Sequence, residues 1–426
     1  MVRLDPRLSG SFLLYKAHGL DSTRSDAFAD ESDMSRSQAV PHQNTVFRQL
    51  ANRLPWAALE RAIAEHRADR GVRKLRTREM LLSLLYAQLA GARSLRDIEA
   101  LLESQPERRY HAGLPLARRS TLSDALAARP TAVFTAVLGA LIPLLTRKLR
   151  REIGDCVRLI DATPLRLSSL SGDWARFSAQ VCGAKAHIVY DPDADCPLYC
   201  SVTPARVNDI TAAKEMPIEP GATYVFDLGY YDFGWWAKLD EAGCRIITRL
   251  KVNTRFSVIE ERPLPLEPGN ILSDRIGFLP ERQARSRQNP MAQAVREVRV
   301  TTESGTVLRL FTNDLDAPAA EIARLYRRRW AIELFFRWVK QMLRIGHFYG
   351  ESESAVAIQV TVALIAFVLL KLAHAAQGTV EGLTQFARLA CAMLMQQRPL
   401  EALRGRAAAL LAPPVQLRAQ GVLPWG

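Results

Sequence analysis

Three acidic residues set the strongest limit on how this chain can fold. Asp161 follows the mostly apolar run Val157-Arg158-Leu159-Ile160, and Asp227 follows the apolar run Tyr224-Val225-Phe226. Glu333 lies much later, in a strongly basic stretch with a helical pattern, 325–333. Two aspartates at the ends of strands and one helical glutamate are the groups from which a two-metal, phosphodiester-cutting site is built. The basic neighbours of Glu333 indicate that the substrate is a polyanion.

Size and charge are compatible with that interpretation. The 426 residues are enough for two to four packed units. The formal net charge is +13 and the pI is about 9.7. A basic excess of this size favours a nucleic-acid partner, because Lys and Arg release counterions from phosphates. Many basic proteins bind no nucleic acid, so charge alone leaves both alternatives open.

The termini, cysteines and apolar segments indicate a cytoplasmic protein. None of the six cysteines forms a CxxC pair or a Cys/His zinc spacing, so we interpret them as reduced packing thiols. The beginning of the sequence lacks the apolar core of a signal peptide, and residues 1–40 are predicted to be a disordered extension. The apolar segment 355–372 carries Gln359, Thr361 and Lys371, so we expect a buried core helix rather than a membrane span.

The segment 41–150 has a helical pattern and is predicted to be a DNA-binding domain. Residues 80–89 form a buried helix in this interpretation, and Ser94 caps the next helix with Asp97 in its first turn. Arg118 and Arg119 precede a further helix start and suit a phosphate-contacting end. The alternative is an ordinary helical bundle with a solvated basic loop.

From about 151 the pattern changes to alternating strands and helices. The predicted order is β-β-β-α-β-α-β, with strands at 156–161, 183–190, 197–203, 224–227 and 245–249 and helices at 209–216 and 231–241. This is the order of the ribonuclease H-like fold, in which carboxylates from the first and fourth strands meet. We therefore predict an α/β, ribonuclease H-like catalytic domain at 151–345. A β-rich insertion at about 252–315 interrupts it, and a helical C-terminal region follows at 346–426.

The predicted helix from about 318 to 346 has two neighbouring stripes. The polar stripe falls within roughly 60° of arc at 100° per residue, and it contains Tyr326, Arg329, Glu333 and Lys340. The apolar stripe would seat the helix on a sheet, and it contains Leu325, Ile332, Phe336, Val339 and Leu343. Arg329 and Glu333 alone would also fit an ordinary i, i+4 ion pair.

These residue types suit catalysis by two divalent ions, which stabilise the attacking and leaving oxygens of an in-line displacement at phosphorus. Mg²⁺ prefers carboxylate oxygens, and Mn²⁺ can substitute for it. Asp161 would bridge the two ions, and Asp227 and Glu333 would each complete one. Arg329 and Lys340 would hold the phosphate near the cut, and Tyr326 would bond to a phosphate or stack on a sugar or base.

At these residues the chain resembles the IS4-type DDE transposases of bacterial insertion sequences. Their C-terminal signature is Tyr-x2-Arg-x3-Glu-x6-Lys, and the same spacing joins Tyr326, Arg329, Glu333 and Lys340. The stretch 159–163 resembles the first acidic motif of that family. The stretches 226–230 and 246–251 resemble the second, and 43–50 and 85–97 also look similar. The resemblance covers about 43–410.

The resemblance implies cut-and-paste transposition. A homodimer would bind the terminal inverted repeats as double-stranded DNA, cut at the ends through a hairpin and join the element to target DNA. Arg249 and Lys251 would contact DNA or phosphate. Trp235, Trp236 and Trp330 are candidates to trap a flipped base, with a core role as the alternative for each. The cytoplasmic enzyme would be associated with the nucleoid.

The sequence also departs from the family. Leu228 stands where many relatives carry Arg directly after the second aspartate. Polar residues often found near the active site of relatives have counterparts here, for which a structural role is an equal alternative: Lys185, His187, Asn208 and Asp209. Two other functions compete with transposition. One is a ribonuclease H-like nuclease without strand transfer, and the other is a non-catalytic DNA-binding protein derived from a transposase.

Overall fold

The computed structural model describes residues 44–146, 156–264, 269–284, 287–377 and 382–403. The strands in these ranges are β1 (Val157–Leu167), β2 (Cys182–Asp191), β3 (Cys196–Pro204), β4 (Thr223–Val225), β5 (Arg245–Arg249), β6 (Ser257–Glu261), β7 (Ile271–Phe278), β8 (Arg282–Ala284), β9 (Arg287–Gln288), β10 (Val295–Thr301) and β11 (Val307–Thr312). The helices are α1 (Val46–Ala51), α2 (Trp56–Glu65), α3 (Thr77–Ala90), α4 (Leu95–Glu103), α5 (Pro106–Ala112), α6 (Arg119–Ala128), α7 (Thr131–Thr146), α8 (Gly172–Ala175), α9 (Asp209–Ala213), α10 (Phe233–Glu241), α11 (Ala319–Arg328), α12 (Trp330–Met342), α13 (Glu353–Ala375) and α14 (Leu383–Ala392).

Nine of these strands form one mixed sheet in the order β3-β2-β1-β4-β5-β11-β10-β7-β6. Strand β4 is parallel to both of its neighbours, β1 and β5. The other pairs in this sheet are antiparallel. The predicted α/β class is confirmed at this level, because a large sheet is packed between helices.

The strand register brings two of the predicted acids to neighbouring positions. Leu159 of β1 pairs with Val225 of β4 in the parallel register. Asp161 and Asp227 each lie two residues further on, and residues two apart point to the same face of a sheet. One expectation was wrong: β1 does not end at Asp161 but continues to Leu167. The reason is that β2 keeps pairing with β1, as far as Cys182 opposite Leu167.

The two faces of the sheet contact different cores, because side chains alternate along each strand. On one face Leu159, Val225 and Ile247 join a cluster that also contains the N-terminal helices, α12 and α13. On the other face Ile160, Tyr224 and Ile246 pack against α9 and α10. The acidic positions share the first face, so α12 is the helix that can bring Glu333 to them.

Helix α13 is buried among the N-terminal helices. By length and composition it is the single helix in the described ranges that could cross a membrane, with a mean hydropathy of 2.4, but 83% of its most apolar window is buried. Gln359 within it donates to His347 O and accepts from Tyr349 N, so its amide is satisfied in the core. The expectation of a buried core helix is confirmed. The predicted cap of α4 is also confirmed, because Ser94 Oγ accepts from Asp97 N.

The segment predicted to be β-rich extends the main sheet. Strand β11 pairs with β5 in an antiparallel register, and β10, β7 and β6 follow it outward. A buried ion pair joins two of these strands: Arg296 donates from Nε and Nη2 to the two carboxylate oxygens of Asp274, both at 2.7 Å. Arg296 also donates to Ala317 O at 2.5 Å, which ties this part of the sheet to the start of α11.

The helix predicted for 318–346 is two helices, α11 and α12, which meet at Arg329. The amide of Arg329 donates to Tyr326 O and the amide of Ile332 donates to Arg329 O, so the backbone tightens to i, i+3 bonding there. Tyr326 therefore belongs to a different helix from Glu333 and Lys340, and the expectation of one continuous helix was wrong. Pro318 is the N-cap of α11 rather than its first helical residue.

Some expectations fall outside the described residues. These are the tail at 1–40, the boundary near 150 and the part of the C-terminal region beyond 403. The six cysteines all lie in the described part of the chain, and all six are free thiols there.

Candidate active site

Arg329 connects two of the three predicted acids. Its Nη1 lies 3.4 Å from Asp161 Oδ2, and its Nη2 forms an ion pair with Glu333 Oε1. The side chains of Arg329, Asp161 and Glu333 are 17%, 18% and 29% exposed, so solvent screens these charges only partly. The junction between α11 and α12 therefore places one guanidinium between the carboxylate of β1 and the carboxylate of α12.

Asp227 begins a tight turn directly after β4. Its Oδ1 accepts from Gly229 N at 2.8 Å, which caps the short 3₁₀ helix Leu228–Tyr230. Its backbone oxygen accepts from Thr248 Oγ1 of β5 at 3.4 Å. These two contacts fix the aspartate at the end of the parallel strands, beside Asp161.

The charges of Asp227 and Glu333 act on Asp161. Burial raises the pKa of Asp161 to about 6, and the negative charges of Asp227 and Glu333 add to that rise. The amide of Ala162 and the guanidinium of Arg329 oppose it. Since like charges this close disfavour ionisation, the site stabilises a positive charge placed among them.

The other residues predicted to contact DNA have different neighbours: some border the acids and others do not. Tyr326 is half-buried. Burial raises its pKa above the ordinary value, and the charge of Asp227 adds to that rise, while the positive charges of Arg249 and Arg329 partly oppose it. Tyr326 and Arg249 therefore lie beside the acidic group. Lys251 is exposed and stacks over the Tyr231 ring at 4.5 Å, where no direct contact with the acids is seen. Lys340 lies next to the extension of β1, around a small cavity that Thr163 and Leu165 also line.

The acidic group is not arranged around a single point in this structure. Within the described ranges no three Asp, Glu, His or Cys side chains are already arranged around one point as an ion requires. The chemistry of the group nevertheless fits: the donors are hard carboxylate oxygens, and the guanidinium of Arg329 shows that a positive charge can lie between two of them. The carboxylates suit a divalent cation if that guanidinium pairs elsewhere.

A fourth carboxylate lies in the same place. A side-chain carbon at Gly229 would lie 3.0 Å from Asp227 Oδ1 and 3.2 Å from Asp209 Oδ2, so the two carboxylates flank this glycine. Lys185 Nζ binds Asp209 Oδ1 at 2.8 Å and Val207 O at 3.1 Å. The sequence showed polar residues here, but nothing in their spacing placed Asp209 beside Asp227.

The tryptophan candidates separate by burial. Trp235 and Trp236 are 2% and 0% exposed, and Trp236 stacks on Phe311 with ring centroids 4.6 Å apart. Both belong to the core on the α10 face, as the alternative interpretation expected. Trp330 is 53% exposed at the start of α12, three residues before Glu333, and it is the accessible ring of the three.

Comparison with known proteins decides the family. A family model described as "Transposase DDE domain" matches residues 152–369, half of the chain and all three predicted acids. The chain belongs to the DDE transposase family. A second model, described as a domain of unknown function (DUF4372), matches residues 42–115 of the transposase.

Curated relatives carry transposase names. The putative transposase y4zB of Sinorhizobium fredii is 38% identical over 285 residues, 66% of this chain and 79% of the relative. The probable transposase for insertion sequence element IS5377 of Geobacillus stearothermophilus is 27% identical over 268 residues, 61% of this chain and 68% of the relative. The transposase for IS231B of Bacillus thuringiensis is 24% identical over 266 residues, 49% of this chain and 54% of the relative. The resemblance to insertion-sequence transposases is confirmed.

One solved structure is also similar. The cryo-EM structure of a piggyBac transposase synaptic complex with hairpin DNA aligns with a TM-score of 0.41 and 10% identity, over 87% of this chain and 82% of that one. That likeness is too remote for residue-level comparison. Family membership by sequence means that this chain is a transposase of an insertion sequence, an enzyme that cuts DNA and transfers strands.

Proposed function

We propose that this transposase uses Asp161, Asp227 and Glu333, with Mg²⁺ as the cofactor, to cut and join DNA. The observation that carries the proposal is the position of Arg329, which pairs with both Asp161 and Glu333. Asp227 lies close enough for its charge to raise the pKa of Asp161. Residues separated by up to 172 positions in the chain thus act on one small volume.

The sheet supports a ribonuclease H-like catalytic domain. Its first five strands have the order β3-β2-β1-β4-β5, with β4 parallel to β1 and β5. Helices α9 and α10 connect these strands on one face, and α12 covers the other. In this domain, predicted at 151–345, the strands β6 to β11 form the β-rich insertion.

The carboxylates of Asp161, Asp227 and Glu333 would hold Mg²⁺, with Mn²⁺ as a substitute. Two such ions stabilise both the attacking and the leaving oxygen at the scissile phosphate. Other side chains at the site would bind and orient the DNA. Arg329, released from its two carboxylates, pairs with a phosphate oxygen, because its planar fork suits that geometry. Tyr326 and Arg249 border the same place and orient the DNA backbone.

The charge and exposure of other residues indicate where DNA would contact the protein outside the acidic group. The net charge of +13 favours a polyanion. Lys340 and Lys251 lie further out and would contact the flanking phosphates. The predicted helical domain at 41–150 would bind the terminal inverted repeats, although Arg118 is engaged by Glu99 and Glu103 in this structure. Transposition joins two ends, so we infer a homodimer that also takes target DNA, acting at the nucleoid in the cytoplasm.

A hairpin step would need a place for an unstacked base. Trp330 is exposed and lies one turn before Glu333 on α12. Aromatic rings hold flipped or single-stranded bases by stacking. We assign this role to Trp330, and not to the buried Trp235 and Trp236.

The proposal predicts metal-dependent cutting followed by joining. A DNA fragment that carries the gene with its flanking sequence would be cut at the element ends in Mg²⁺, left intact in EDTA, and cut again when Mg²⁺ or Mn²⁺ is restored. A pre-cut end with a free 3′-hydroxyl would be joined to a target plasmid. Gel analysis of labelled ends measures both steps. Cutting that persists in EDTA would refute the metal proposal, and cutting without joining would indicate a nuclease.

A further inference from the structure

We propose that Asp209 is a fourth carboxylate of the divalent-cation site, next to Asp227. This inference rests on the proposed function, since it concerns the same cofactor. Asp209 is the first residue of α9, and its Oδ2 faces the same glycine as Asp227 Oδ1. A Cβ added to Gly229 would lie 3.2 Å from Asp209 Oδ2 and 3.0 Å from Asp227 Oδ1, so a side chain at that position would contact both carboxylates.

The charges in this place do not balance. Asp161, Asp209, Asp227 and Glu333 contribute four negative charges. Arg329 and Lys185, which pair directly with members of this group, contribute two positive charges. Arg249 lies beside the group without an ion pair to any of the four carboxylates in the described part of the chain, so the excess is two negative charges among the paired residues and one when Arg249 is counted. A cation held there would neutralise that excess in a partly buried place.

Two buried polar atoms next to this group have no partner. Tyr230 is 1% exposed, its hydroxyl makes no hydrogen bond, and the charges of Asp161, Asp209 and Asp227 all act on it. His187 is 0% exposed, and its Nδ1 is unpaired at 3.9 Å from Asp209 Oδ1. A buried polar atom without a partner is costly. Both atoms are positioned to bond to the hydration shell of an ion held by Asp209 and Asp227.

The competing role for Asp209 is to pair with Lys185. The lysine is held on both sides, by Asp209 and by the carbonyl of Val207. If pairing were the whole role, the removal of either partner would have the same effect on the site. If Asp209 is a cation ligand, the two removals have opposite effects, since the lysine charge repels a cation and the aspartate attracts it.

Binding of Mn²⁺ alone, measured by the loss of the free-ion EPR signal, distinguishes these roles without an activity assay. We expect Asp209→Asn to weaken Mn²⁺ binding roughly 10-fold or more, and Lys185→Met to leave it unchanged or tighten it. Asp232→Asn is the matched control, because it removes a Lys–Asp pair of the same 2.8 Å length, with Lys214, and should leave Mn²⁺ binding unchanged. Equal weakening in Asp209→Asn and Lys185→Met, or wild-type affinity in Asp209→Asn, would overturn the inference.

A second measurement needs no substitution at Asp209. Fe²⁺ bound in place of Mg²⁺, with ascorbate and peroxide, generates hydroxyl radicals that cleave the chain close to the ion. We expect wild-type fragments that end near residues 161, 209 and 227. Cleavage near 161 and 227 with none near 209 would reject Asp209 as a ligand. Wild-type Mn²⁺ affinity in Asp161→Asn would instead reject the cation site proposed above, so the two failures are distinguishable.

Discussion

Replacement of Asp161, Asp227 or Glu333 by alanine will reduce cutting at the element ends by roughly 1000-fold or more, since about 4 kcal/mol of barrier corresponds to that factor. The physical reason is that the three carboxylates act on one small volume, so the loss of any one disrupts the placement of the ions that stabilise the transition state. Initial rates of end cleavage in Mg²⁺, for wild type and the three variants, measure the effect.

The matched control for this experiment is Asp193→Ala. Asp193 pairs with Arg328, the neighbour of Arg329, just as Asp161 pairs with Arg329. Its variant loses an Asp–Arg pair at the last residue of α11, next to the junction, but removes no carboxylate from the acidic group. Its cleavage rate should therefore stay within about threefold of wild type, less than 1 kcal/mol of barrier. If the alanine variants of the three acids cut as fast as the Asp193 variant, the assigned site is wrong.

Asp274→Ala will produce the largest loss of stability that we expect from a single substitution. It leaves the guanidinium of Arg296, 1% exposed, without its bidentate partner inside the sheet. Breaking a buried pair from one side costs about 3–5 kcal/mol, because the remaining charge stays desolvated. The unfolding free energy from urea titration should fall by that amount.

The control is an ion pair between β6 and β7, at the edge of the same sheet. Arg275 and Glu261 lie 2.9 Å apart, but the glutamate is 67% exposed. Solvent screens such pairs, so Glu261→Gln should change the unfolding free energy by about 0–1 kcal/mol. A loss below about 1 kcal/mol in Asp274→Ala, the range of a surface pair, would mean that Arg296 finds other partners and that the pair does not stabilise the sheet.

The convergence of the two aspartates could be predicted from the sequence. Each follows a short run of mostly apolar residues, and the predicted order of elements makes the first and fourth strands neighbours. The parallel register of Leu159 and Val225 then brings Asp161 and Asp227 to matching positions. The position of the two aspartates could therefore be predicted from two local sequence patterns and one rule about strand order.

The remaining features depend on contacts between distant segments. Strand β1 continues past Asp161 only because the remote strand β2 pairs with it through Leu167. The break at Arg329 has no proline or glycine beside it, so the sequence carries no local sign of it. Asp209 reaches Gly229 through the packing of α9 on the turn after β4, which residue spacing does not show.

The most direct test of the proposed cation site is to exchange one ligand atom. Asp161→Cys places a sulfur where a carboxylate oxygen was, and sulfur binds Mn²⁺ more readily than Mg²⁺. End cleavage by this variant should be lost in Mg²⁺ and partly recovered in Mn²⁺, while wild type cuts in both. Equal loss in the two metals, or wild-type cleavage in Mg²⁺, would contradict a metal-binding role for Asp161.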